Sequence, residues 1–243
     1  MNLTLEFNQL ENKNDTIYRK SSDIPFTGIG ICKYVNGNIE TEIPFIDGII
    51  NGTVNIYYTK GNLKSKSIYI NGLLEGESLT WFDNGVLQGK CNYVKGKLNG
   101  RSETWYPNNQ VKSESFFLDG NLDGESKEWY PNGLLKTELT YFNNEKNGKS
   151  RTWFDNGQLR TENNFKNGLI DGEGKEWYDN GKIRSEIFSR NGIAEGLSSE
   201  WFDNGQLKSI CLFKNNLPHG VHIEYDKDGK ILKDTTYNNG IIV

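Results

Sequence analysis

The chain has 243 residues, of which 35% are hydrophobic, and a mean hydropathy of −0.70. That is thin for a globule of this length and suits a repeat protein with a narrow buried layer and a large surface. A net charge of −4 leaves no basic footprint for nucleic acid or an anionic membrane, and nucleic acid is not expected as a partner. Gly 27, Tyr 12, Phe 12 and Trp 6 against Met 1 make a strand-and-turn profile.

In chain order, MNLTLEFNQLENKNDT contains no apolar run, so neither a signal peptide nor a transmembrane segment is expected. Leu3, Leu5 and Phe7 alternate weakly over Met1 to Phe7 and predict a first edge strand. Asn8 to Asp15 reads as a loop, and Tyr18 to Gly28 leads into a repeated region. Residues 1–27 are therefore read as a leader that caps the array, the alternative being a flexible tail. Cys32, Cys91 and Cys211 are odd in number, and the last two hold the same place in repeats far apart. Reduced thiols in a cytoplasmic protein are the simplest reading.

From Gly28 the chain repeats. A glycine opens a unit at 28, 52, 76, 100, 124, 148, 172, 196 and 220 without insertion, so 28–243 is nine units of 24 residues. The unit from Gly172, GEGKEWYDNGKIRSEIFSRNGIAE, shows the pattern: a short run ending in Trp177, the turn Asp179-Asn180-Gly181, a second run, then a looser turn. This is the sequence form of a β-hairpin, and no stretch carries a helical period. The fold class expected is all-β, an elongated single-sheet array of stacked antiparallel β-hairpins.

Pro107 and Pro131 at the first turn position favour a three-residue loop, a type I turn closed by a glycine bulge. That loop pairs Trp177 with Ile183, and it sets Glu128 opposite Lys136, Glu176 opposite Arg184 and Glu200 opposite Lys208. Two faces result. One carries Trp81, Trp105, Trp129, Trp153, Trp177 and Trp201 with the Leu/Ile column and, further along, Tyr93, Phe117, Tyr141, Phe165 and Phe213. This face is expected to be the core. The other carries the aromatic after each Trp among the charged pairs.

The run Trp201 to Ser209 (WFDNGQLKS), its copies at 24-residue spacing and the paired glycines of the second turn resemble the MORN-repeat variant, and more narrowly bacterial YwqK-family proteins. Tyr18, Pro25, Phe26, Thr27 and Gly28 are similar to the usual opening of those chains. The resemblance covers about residues 18 to 243. It implies stacked antiparallel hairpins in a twisted sheet, and the role of antitoxin or immunity component of a toxin–antitoxin system. It supplies no catalytic residues.

Candidate chemistry is sparse. His219 and His222 are spaced like a metal pair, but His219 sits in a turn column that elsewhere reads Glu75, Asn99, Asp123, Asn147, Asp171 and Glu195, so it reads as a turn residue. Asp or Asn before Gly is ordinary turn chemistry rather than a calcium ladder. Nothing resembles a nucleophile setting, a paired-carboxylate site or a phosphate-cradling loop, so no enzyme, cofactor or metal is expected. The feature that invites recognition is the row Tyr106, Tyr130, Phe154, Tyr178 and Phe202, interleaved with Lys and Arg. It reads equally as sheet packing or as a protein-binding surface. Two function classes remain: a protein that binds another protein, with the antitoxin of a cognate toxin as its sharp form, and a structural or membrane-apposed scaffold.

Overall fold

The computed structural model describes residues 3–243; Met1 and Asn2, part of the expected first strand, lie outside the described residues. The architecture is the expected all-β repeat array. In the unit from Gly172, strand Gly172–Trp177 turns into strand Ile183–Arg190. Tyr178 N–H donates to the Lys182 carbonyl at 2.9 Å and Gly181 N–H to the Tyr178 carbonyl at 3.0 Å, with Gly181 at φ +80°. This is the three-residue loop that the prolines predict, and Trp177 pairs with Ile183.

One residue further along, the register departs from the expectation. Glu176 lies opposite Ser185, not Arg184, because a second bulge comes after the Trp pair. The same shift recurs in all nine hairpins, from Cys32/Lys33 to Glu224/Tyr225. A bulge inserts one unpaired residue, and a one-residue shift turns every later side chain to the other face. The aromatic column Tyr93, Phe117, Tyr141, Phe165 and Phe213 therefore leaves the tryptophans. It joins the face of Thr152, Ser150 and Gly148, which pair with Thr161, Asn163 and Phe165. We call this the hydroxyl face, and its opposite the tryptophan face.

The expected core is corrected accordingly. No tryptophan is buried; all six are half-buried. Glycines apart, the buried residues of the array's strands, Phe45, Val54, Ser150, Ser189 and Cys211, all stand on the hydroxyl face. Its small side chains let the backbone carry cross-strand hydroxyl pairs, Thr104–Ser113 at 2.6 Å, Thr152–Thr161 at 2.7 Å and Ser67–Ser78 at 2.7 Å. The opening glycine of each unit lies opposite the aromatic column, as in Gly148↔Phe165 and Gly196↔Phe213, with Gly172↔Ser189 the exception. These glycines have φ between +73° at Gly76 and +155° at Gly28, a region that side-chain-bearing residues rarely enter.

The chain divides into two compact units, Met1–Asn121 and Leu122–Val243. In the first, the leader strand Thr4–Glu6 runs parallel to Gly28–Lys33, with Leu5 opposite Gly30. Phe7 does not extend that strand but begins a 3-10 turn, Phe7–Gln9. The expected loop after it is a hairpin, Leu10–Lys13 with Thr16–Arg19, turned by Asn14 and Asp15 at φ +50° and +61°. Leu5, Leu10 and Phe26 cluster with Phe45, flanked by Phe7, Ile17, Ile43 and Ile50. Ile43 and Phe45 belong to the hydroxyl face of the first repeat, so the leader lies across that face. In the second unit, each hairpin from Asn121–Trp129 with Leu135–Phe142 to Leu217–Tyr225 with Ile231–Asn238 repeats the same pairing.

Candidate functional site

The proposed recognition row stands where the strand enters its first turn, on the hydroxyl face. Its hydroxyls are engaged. Tyr130 donates to the Trp153 carbonyl and Tyr178 to the Trp201 carbonyl, each at 2.8 Å, in the next repeat; Tyr58 does the same to Trp81 at 2.7 Å. Such bonds contribute about 0.5–1.5 kcal/mol net each. Phe154 and Phe202 occupy the same place without a hydroxyl, so the column needs the ring and only some repeats add the bond. Cations cover the rings: Arg160 lies 5.5 Å from the Phe154 centroid, Arg184 5.7 Å from Tyr178 and Lys227 5.8 Å from Phe202. Tyr106, in the first unit, has Lys112 at 5.8 Å.

The charged pairs expected beside this row form despite the shifted register. Lys136–Glu128 closes at 3.2 Å, Arg184–Glu176 at 3.0 Å and Lys208–Glu200 at 2.9 Å. The cation in each is the bulged residue itself, which keeps its side chain beside the neighbouring Glu. Glu200 and its hydrogen bond hold the Lys208 ammonium above the usual lysine range. Rings and pairs leave two grooves in the second unit. One, of about 220 Å³, lies among Glu176, Tyr178, Arg184, Ser185, Glu200 and Lys208. The other, of about 420 Å³, lies among Glu200, Phe202, Lys208, His222 and Glu224.

A second charge ladder, on the tryptophan face, was not expected. Lys127, Glu138, Arg151, Glu162, Lys175 and Glu186 alternate in sign from strand to strand, with Lys127–Glu138 at 3.4 Å, Arg151–Glu162 at 2.6 Å and Lys175–Glu186 at 3.3 Å. The Arg151 hydrogen bond holds the Glu162 carboxyl below the usual carboxylate range. In the first unit, the Tyr57 hydroxyl donates to Glu42 at 2.6 Å, and burial followed by that carboxylate pushes its pKa up to about 12. Tyr57 stands in the Trp column, so this contact places charge directly beside that column. The signal for the ladder is present in the sequence. Only the shifted register sets an opening glycine opposite each aromatic, and that register also sets Lys against Glu.

The turn acids are occupied by the chain. Glu75, Asp123, Asp171 and Glu195 each accept a backbone N–H twenty residues on, from Lys95, Asn143, Asn191 and Asn215, at 2.7–3.2 Å. His219 replaces them in the last repeat, its Nδ1 accepting from Asn239 N–H at 3.4 Å. His222 lies 3.4 Å from Glu224 instead. Among the described residues, no group of three or more His, Cys, Asp or Glu is placed to hold a metal ion. Cys32, Cys91 and Cys211 are free thiols, and burial pushes the pKa of each up.

The profile described as MORN repeat variant matches residues 50–71, 74–95, 98–119, 122–143, 146–167, 170–191, 194–215 and 218–239. The chain belongs to the MORN repeat variant family. The eight matched MORN segments succeed one another at the 24-residue spacing, and each spans the two strands of one hairpin with the turn between them. Residues 28–49, ahead of the first match, form the same bulged hairpin, with Lys33 opposite Ile39. A comparison with curated proteins finds no match. Among solved structures, one titled "Crystal Structure of TcdB2-TccC3" is 12% identical at a TM-score of 0.17, over 84% of this chain and 16% of that chain. Another, "Crystal Structure of TcdB2-TccC3-Cdc42", is 12% identical at 0.17, over 94% and 15%. The MORN array spans only that small share of either chain, and at such TM-scores neither bears on its fold or task. No helix among the described residues is long and apolar enough to cross a membrane.

Proposed function

We propose that this MORN array is a non-enzymatic binding protein whose partner is another protein, held along the aromatic row of the hydroxyl face. The observation that carries the reading is the pair of grooves between Tyr178, Phe202 and Glu224, walled by rings and by carboxylate–cation pairs. Rings fixed by neighbouring repeats present contact area whose ordering cost is already met by folding. The paired charges give a rim that sets specificity more than affinity. In its sharp form the partner is a cognate toxin and the chain a cytoplasmic antitoxin. The family supports a scaffold or binding role, and this reading narrows it.

The test begins with native purification and mass spectrometry to identify the partner. Tyr178→Ser with Phe202→Ser is expected to weaken capture at least tenfold, about 1.4 kcal/mol. Tyr178→Phe, which keeps the ring and loses only the bond to Trp201, is expected to retain it. Circular dichroism reports that each variant is folded. Unchanged capture by the double variant, with loss on altering Asp171 and Glu195, would move recognition to the turn edge. Co-expression with the product of the adjacent gene tests the antitoxin form, which fails if that product is not toxic alone.

A further inference from the structure

The charge ladder of the tryptophan face stops within the second unit. The positions of Glu125, Lys149 and Glu173 become Leu197 and Val221 in the next two repeats. Those of Lys127, Arg151 and Lys175 become Ser199 and Ile223, and those of Glu138, Glu162 and Glu186 become Ile210 and then Asp234. The replacements meet one another. Leu197 pairs with Leu212, and Ile210 with Ile223. Leu197 is 57% exposed, Val221 49%, and Leu212 and Phe188 37% each. A contiguous apolar patch of this kind marks an interaction surface.

The margins of the patch indicate what covers it. One margin carries Trp177 and Trp201, at the first-turn end of the strands. The opposite margin carries exposed Arg190 and Lys214, at the second-turn end. A rotation of 180° about the direction in which the repeats succeed one another lays the first margin over the second. It also lays the row of Ile210 and Ile223 over that of Leu197, Leu212 and Val221, and the row of Lys175 over that of Glu173. In the repeats from Gly172 and Gly196, cation then meets indole at the margins, apolar meets apolar between them, and the Lys175 ammonium meets the Glu173 carboxylate.

We propose that the second unit pairs through this patch with a second copy of the chain, sheet face on sheet face, in a two-fold dimer. Sheets packed this way lie about 10 Å apart with their side chains interdigitated. The hydroxyl face stays open in the dimer, so the proposal stands apart from the binding row on that face.

Sedimentation equilibrium of the full chain over a range of concentrations reads the dimer directly. The wild type is expected to dimerise reversibly. Leu197→Glu is expected to weaken the dimer at least tenfold, and so is Arg190→Glu with Lys214→Glu, which leaves the apolar patch intact. Circular dichroism confirms that the variants are folded. A wild type that stays monomeric throughout overturns the proposal, whether or not the patch then captures vesicles or another protein. A dimer that survives both sets of substitutions unweakened overturns it as well.

Discussion

At the scale of single residues, most side chains that look functional in the sequence are fasteners between repeats. Asn132, Asn156 and Asn180 each accept the N–H two residues on and donate Nδ2 to the carbonyl of the next turn, at 2.8–2.9 Å. This explains why the Asn of Asp-Asn-Gly recurs; its acceptor is a backbone carbonyl that any residue can supply, as Thr59 does for Asn36. The ion ladder adds a pH dependence with a definite sign. The Glu162 carboxyl is held below its ordinary value of 4.5 by Arg151, so its contribution is present above that pH and is lost as the pH falls through the lower folded value. Urea titrations of the wild type are therefore expected to lose stability below about pH 4.5. Glu162→Gln is expected to start lower at pH 7 and to lose less on acidification. Equal acid sensitivity in both proteins would remove Glu162 from the account.

At the scale of the hairpin, the turn is legible in the sequence and the second bulge is not. Pro107 and Pro131 disclose the three-residue loop because proline at that corner tolerates little else. The bulge hides because strands such as Leu135–Phe142 keep a clean period of two on either side of it. Leu135, Thr137, Leu139 and Tyr141 read as one face, whereas Leu135 faces the tryptophans and the other three face away. The leader's hairpin is hidden for a different reason: Asn14 and Asp15 lie in a polar stretch, and the tertiary contact of Leu10 with Phe45 stabilises strands that local pattern does not favour. Because each hairpin pairs with its neighbours through one repeated set of bonds, removing a complete unit restores them. Deletion of Gly172–Glu195 is expected to leave a folded chain. Deletion of Gly172–Ile183 alone removes one strand of a pair, and is expected to abolish cooperative unfolding in a thermal melt. Equal stability for the two deletions would contradict the repeat as the unit of folding.

For the whole molecule, the period announces the architecture because an uninterrupted 24-residue repeat admits few folds. The candidate site is legible as a set of positions but not as a set of roles. Tyr130 and Tyr178 stand out by recurrence, and recurrence alone does not distinguish a ring that binds a partner from one that ties its hydroxyl to the next repeat. In the sequence the buried layer falls on the wrong face because size outweighs register: six tryptophans look like a core, yet the buried side chains of the array's strands are Phe45, Val54, Ser150, Ser189 and Cys211. The division into two faces rests on the bulge after the Trp pair, and that bulge can be measured. In a background with the three native cysteines replaced by serine, Ser150→Cys is combined with either Asn163→Cys or Glu162→Cys. The bulged register places Ser150 directly opposite Asn163 and turns Glu162 to the other face, a geometry that permits a disulfide only in the first pair. Mild oxidation followed by mass spectrometry is expected to close the 150–163 bridge and leave the 150–162 thiols free; a 150–162 bridge with free 150–163 thiols would contradict the account.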